Sequence, residues 1–285
     1  MNRLLVAVSA SIYLVSLAAC AGSSPEVGES KAANRVVING STTVLPIGQK
    51  AVEVFNQQHP EVKISISGSG SGDGIKALID GTTDIAMSSR EMKESEKQQA
   101  AAKQVSPKEH VVAWDGIVPI LHPSNPVTNL TLAQLKDIYT GKVTDWQAVG
   151  GQSGTIVVVS RDSSSGTYEA WGELVLNKER VMPGAQLQAS SGAVAETVAR
   201  TPHAIGYVGI GYAEGNPSVK AVSVDGVKAE ASTVLDKSYK IARPLYLYTN
   251  GEPKGMAAEF LKFILSPAGQ QLVKQEKFVP LPSAQ

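Results

Sequence analysis

The sequence predicts an α/β fold in two lobes, each a mixed, mainly parallel sheet flanked by helices, with two strands crossing between them. Three observations carry this. Strand-like and helix-like runs alternate along the chain. Its 285 residues exceed what one core of ~100–200 residues needs. And three times a Gly/Ser/Thr loop follows a β-branched run and opens a helix: Gly40-Ser41-Thr42-Thr43, residues 68–74, and residues 161–167.

The elements follow in order. Residues 36–39 form a short β-branched strand, and residues 44–58 carry Leu45, Ile47, Ala51, Val54 and Phe55 at helical spacing before Pro60 stops them. Residues 62–67 alternate apolar and polar as a half-buried strand does. The Gly/Ser loop then opens a short helix over 75–79, stopped near Gly81. Residues 84–87 give another strand running into Ser88-Ser89-Arg90, and residues 93–103 an exposed helix.

The nearly continuous apolar run 111–121 predicts a buried strand passing between lobes. A helix over 130–139 has Thr131 as its N-cap and Gly141 past its end. Residues 155–159 form the strand that delivers the third loop, and 168–176 the helix after it. A helix at 193–200 and strands at 204–208 and 219–224 follow. The second crossover falls within 240–249, and two amphipathic helices, 256–265 and 267–275, close the chain. The expected division is 35–112 with 242–285 as lobe 1 and 113–241 as lobe 2.

The start of the chain reads as targeting. Met1-Asn2-Arg3 is a short positive start, residues 4–17 are apolar but too short to span a bilayer, and Leu17-Ala18-Ala19-Cys20 closes the segment. This is similar to a bacterial lipoprotein signal over 1–19 in which Cys20, the only cysteine, becomes the lipidated N-terminus; an ordinary secretory signal is the alternative. Residues 20–34 read as a flexible tether. The expected location is extracytoplasmic, at the periplasm or cell surface, with the membrane met only through the lipid.

The charge balance, 26 basic against 26 acidic residues, disfavours nucleic acid, so any anion preference must be local. The three loops supply such a locality, because helix N-termini leave N–H groups unpaired at the positive end of the dipole. Thr42 and Thr43 offer hydroxyls in the first loop, where plain capping competes. In the second, Gly68, Gly70, Gly72 and Gly74 alternate around Ser71. This spacing matches neither a dinucleotide nor a P-loop pattern. The third sets Arg161, whose fork grips two oxygens, beside Ser165, Gly166 and Thr167. Ser190-Ser191-Gly192 offers a fourth helix-end seat, though capping explains it adequately. The four histidines lack metal-ligand spacing, so neither metal nor cofactor is expected, and no G-x-S-x-G elbow points to a serine phosphatase or esterase.

Taken together, Asn39-Gly40-Ser41-Thr42-Thr43-Val44, Gly70-Ser71-Gly72-Asp73-Gly74-Ile75, Asp84-Ile85-Ala86-Met87-Ser88-Ser89-Arg90, Ser165-Gly166-Thr167, Ala204-Ile205-Gly206-Tyr207 and the terminal stretch from Phe260 to Leu281 resemble the phosphate-binding proteins of bacterial phosphate ABC transporters. The resemblance implies a periplasmic-binding-protein fold closing over inorganic phosphate, with no enzymatic activity. It also implies a monomer that delivers its ligand to the permease and ATPase subunits of an importer. Another tetrahedral oxyanion (sulfate, molybdate, tungstate) or a phosphate-sensing role stays open.

Thr42, Thr43, Ser71, Arg161, Ser165, Gly166 and Thr167 match the family's ligand contacts. The chain departs where family members carry acids, at Ser89 and Ser163. Such an acid accepts the proton of phosphate and rejects sulfate, so a substitute is needed. Asp115 is the candidate acceptor, a turn aspartate before Gly116 being the plainer reading. Arg90 is expected as an extra donor or as the partner of Asp115. Asp162 is the second choice of acceptor, otherwise pairing with Arg161.

Overall fold

The structure is a computed structural model and describes residues 34–282, so the expected signal peptide, Cys20 and all of the tether but Asn34 lie outside the described residues. Strand β1 (Arg35–Gly40) leads into helix α1 (Leu45–Gln58), whose buried stripe of Ile47, Ala51, Val52 and Phe55 packs on the sheet. Strand β2 (Lys63–Gly68), helix α2 (Ser71–Ile79), strand β3 (Ile85–Ser88) and helix α3 (Glu94–Ala102) repeat the unit. As its polar sequence predicts, α3 buries only Ala100.

The 15-residue strand β4 (Pro107–Leu121) follows. Beyond it lie β5 (Asn129–Leu130), α4 (Leu132–Tyr139), β6 (Val157–Arg161), α5 (Gly166–Leu174), β7 (Gln186–Gln188), α6 (Ser191–Arg200), β8 (Ala204–Gly209) and α7 (Ile210–Ala213). The expected cap of α4 is present: Gln134 N–H donates to Thr131 Oγ1 at 3.1 Å. The chain ends through β9 (Lys220–Ala221), β10 (Ser223–Val224), α8 (Ala231–Leu235), β11 (Ala242–Asn250), α9 (Gly255–Leu265) and α10 (Pro267–Gln275).

Among the described residues nine strands form one sheet: eight follow the order β2-β1-β3-β11-β4-β8-β6-β7, and β9 pairs with β4 off this path. β2, β1 and β3 run parallel to one another at one end, and β8, β6 and β7 do so at the other. Between them β11 and β4 pair antiparallel. Residues 107–116 of β4 face β11 and residues 117–121 face β8, so one strand serves both ends. The expected crossovers are thus this central pair. One apolar cluster includes Phe55 and Phe260 from the first end and Val194 and Val208 from the second. A second, around Leu135, Trp146, Trp171 and Tyr207, belongs to the far end.

The single strand expected over 219–224 is two. Lys220 and Ala221 pair with β4, whereas Ser223 and Val224 pair with β5 in a separate ribbon. Val222 between them is buried and donates to Pro119 O at 3.0 Å, holding the chain where it passes from one partner to the other.

Candidate functional site

Each Gly/Ser/Thr loop ends a strand and begins a helix, and the openings of α1, α2, α5 and α6 meet: that of α1 touches those of α5 and α6, and that of α2 touches that of α5. In the first loop the capping work falls to Ser41, whose Oγ accepts from Thr43 N–H at 3.2 Å and Val44 N–H at 3.4 Å. That leaves Thr42 and Thr43, both buried, to point their hydroxyls elsewhere. Thr43 Oγ1 lies 2.9 Å from Thr167 Oγ1, and Thr42 Oγ1 lies 3.3 Å from Ser191 Oγ. Gly40 permits this turn: its φ is +138° and a Cβ there would sit 2.1 Å from Met87 O.

The second and third loops touch. Gly72 N–H donates to Ser164 O at 2.9 Å, and Ser164 Oγ lies 3.2 Å from Ser69 O. Ser71 is fully buried, accepts from Ser89 N–H at 3.1 Å and lies 3.2 Å from Ser89 Oγ. Gly166 fits against both serines because it has no side chain; its Cβ would approach Ser71 Oγ to 2.4 Å and Ser89 Oγ to 2.8 Å. Ser165 caps α5, accepting from Tyr168 N–H at 3.2 Å.

Arg161 leaves β6 with its backbone N–H on Tyr207 Oη at 3.3 Å, and Tyr207 stacks on Trp171 at 4.4 Å. Only 1% exposed, its guanidinium donates to Gln188 O and Ala189 O, each at 3.0 Å, and to Ser191 Oγ at 3.3 Å. None of these acceptors is a carboxylate. Burial pushes the Arg161 pKa down, the direction set by a buried cation with no bonded acid. The expected Asp162–Arg161 pair is not formed: Asp162 Oδ1 accepts from Ser164 N–H at 2.8 Å and Ser164 Oγ–H at 2.5 Å, bracing its own loop.

Arg90 is also corrected. Its fork grips Glu96 through two bonds of 2.7 Å, and its Nε lies 2.5 Å from Glu169 Oε2, whose other oxygen meets Lys93 Nζ at 2.8 Å. Asp115 takes a different partner, Arg243, which stands opposite it in the β4–β11 register. Arg243 Nε and Nη2 donate to Asp115 Oδ2 at 3.0 and 2.8 Å, and Ile210 N–H donates to Oδ1 at 2.9 Å. Burial pushes the Asp115 carboxyl up from the ordinary carboxylate range, and the guanidinium pulls against that shift.

Of the predicted residues, Thr42, Thr43, Ser71, Ser89, Arg161, Gly166 and Thr167 come together, Ser165 caps the same helix end, and Asp115 stands behind them. Sequence reasoning set Ser191 aside as part of a capped helix opening and missed Arg243. Ser190 caps α6, accepting from Ala193 N–H at 3.1 Å, which frees Ser191 to face Thr42 and Arg161. The signal for Arg243 was a lone cation in an otherwise apolar, extended run.

Two groups of parallel strands joined by an antiparallel central pair, with oxyanion-type donors converging from both groups, define the solute-binding class of protein. The PBP superfamily domain matches residues 25–268. The phosphate-binding protein PstS of Bacillus subtilis is 32% identical over 289 residues, covering 98% of this chain and 94% of that protein. PstS of Borreliella burgdorferi is 34% identical over 254 residues, covering 86% and 89%. A putative phosphate ABC transporter substrate-binding protein with bound phosphate from Clostridium perfringens superimposes with a TM-score of 0.81 at 41% identity, over 87% of this chain and 100% of that one. The chain belongs to the PBP superfamily and, within it, to the PstS family.

Proposed function

We propose that this protein is an extracytoplasmic phosphate-binding protein, anchored through a lipidated Cys20, which captures inorganic phosphate between two lobes and delivers it to the permease and ATPase subunits of an ABC importer. The lobes are residues 35–112 with 242–285, and residues 113–241, and the protein acts as a monomer. One observation carries the reading: Arg161, buried without a bonded carboxylate, lies among hydroxyls contributed by both lobes. A desolvated cation with spare donors is costly unless an anion completes it. The relatives named for phosphate supply the ligand's identity.

Thr42, Thr43, Ser71, Ser89, Ser165, Thr167 and the added Ser191 would donate through hydroxyls, and Gly166 and Thr167 through first-turn N–H groups of α5. Asp115 would accept the phosphate proton through Oδ1, which holds one N–H and keeps a second lone pair. Arg90 has no place in the contact set. Relatives named as phosphate-binding proteins support binding rather than hydrolysis as the role of these hydroxyls.

Calorimetric competition tests this and separates phosphate from the other tetrahedral oxyanions. The native protein should bind phosphate and arsenate and ignore sulfate. Asp115→Asn leaves Arg243 uncompensated, which favours any anion, so the readout is the ratio: the preference for phosphate over sulfate should fall by ~10-fold or more. An unchanged ratio removes Asp115 as the acceptor; a native protein that binds sulfate and not phosphate removes the proposed ligand.

A further inference from the structure

Every N–H of the Arg243 guanidinium has a partner. Nε and Nη2 hold Asp115, Nη1 donates to Ser89 O at 3.0 Å and to Gly166 O at 3.4 Å, and Nη2 also donates to Thr167 Oγ1 at 2.9 Å. We propose that Arg243 is a positioning residue for the anion site, which aims the Thr167 hydroxyl into that site and couples this aim to closure of the lobes. The proposal rests on the phosphate reading above.

Two features of the geometry support it. Thr167 Oγ1 accepts from a charged donor on one side, so its own proton is left for an acceptor on the other, where Thr43 Oγ1 stands 2.9 Å away. Donation by the guanidinium also strengthens the hydroxyl as a donor. Further, the partners come from both lobes: Ser89 from the first, Gly166 and Thr167 from the second. Arg243 is fixed to Asp115 as its cross-strand neighbour in the central pair. Withdrawal of α5 would therefore strip partners from a guanidinium that is only 5% exposed, and its return would restore them. Anion contact by Thr167 and satisfaction of Arg243 then belong to the same closed arrangement.

The test is a double-mutant cycle read by phosphate titration of the native protein, Arg243→Lys, Thr167→Val and the double variant. Lysine keeps a charge beside Asp115 but is a single point that cannot hold Asp115, Ser89, Gly166 and Thr167 at once. Each single variant should weaken phosphate binding by ~10–100-fold, and the double variant should be no more than about threefold weaker than the worse single. Native affinity in Arg243→Lys, or effects that multiply in the double, overturns the proposal and reduces Arg243 to a structural brace. Should thermal melting show Arg243→Lys unfolded, the apolar pair Asp115→Leu/Arg243→Met, a kind of exchange buried ion pairs tolerate, runs in the same cycle with Thr167→Val, and multiplying effects overturn it equally. A native protein that binds no phosphate defeats the functional reading itself.

Discussion

Arg161→Met is expected to lower phosphate affinity by ~100–1000-fold while leaving the fold intact. Truncating a buried, charge-assisted contact costs ~3–4 kcal/mol of binding, and each 1.4 kcal/mol is about a factor of ten. Stability should respond differently. The native chain buries this cation with no carboxylate bonded to it, so its removal relieves a desolvation cost. The same change leaves Ala189 O without its guanidinium donor, costing ~1–3 kcal/mol in the opposite sense, whereas Gln188 O keeps the Asp162 N–H at 3.3 Å. These effects offset in part, and a urea midpoint close to native is the expected outcome. Titration calorimetry beside urea denaturation checks both halves. A variant that binds as the native chain does would mean the guanidinium serves the fold alone.

Gly166→Ala should weaken binding by ~10–100-fold through a different route. Its φ is not among the positive ones, and alanine favours a helix by about 1 kcal/mol over glycine, so α5 itself gains. The added Cβ, however, would lie 2.4 Å from Ser71 Oγ, 2.8 Å from Ser89 Oγ and 2.9 Å from Ser71 Cβ. Both serines are at most 1% exposed and tied to each other, so neither can give way easily. Overpacking of this kind costs ~1–3 kcal/mol, and here the cost falls on closure rather than folding. Small-angle scattering at saturating phosphate should show the native chain contracting and the variant contracting less. Equal contraction and equal affinity would show that the lobes do not meet at Gly166.

Much of this site was legible before any coordinates, because strand–loop–helix units leave a local signature: β-branched residues, then glycine and small hydroxyl residues, then helical spacing. That signature places Thr43, Ser71 and Thr167 at helix openings, where backbone donors are free whatever the tertiary fold. What it cannot resolve is direction. Of the adjacent pair Ser190 and Ser191, either could cap α6, and only packing decides that Ser190 does so while Ser191 turns toward Thr42. Arg90 follows Ser89 and so looks like part of the site, yet Glu96, six residues on, and Glu169, far along the chain, claim its guanidinium. The Asp115–Arg243 pair joins residues 128 apart through a strand register that no local pattern encodes. The division of residues 219–224 between the main sheet and a separate ribbon has the same origin, since two-residue strands carry no periodicity of their own.

A crystal structure grown with inorganic phosphate tests the central claim most directly. The account predicts one phosphate held by the Arg161 guanidinium together with hydroxyls of Thr43 and Ser71 from one lobe and Thr167 from the other. A phosphate bound elsewhere, or one touching residues of a single lobe while Arg161 keeps only its present partners, would contradict it.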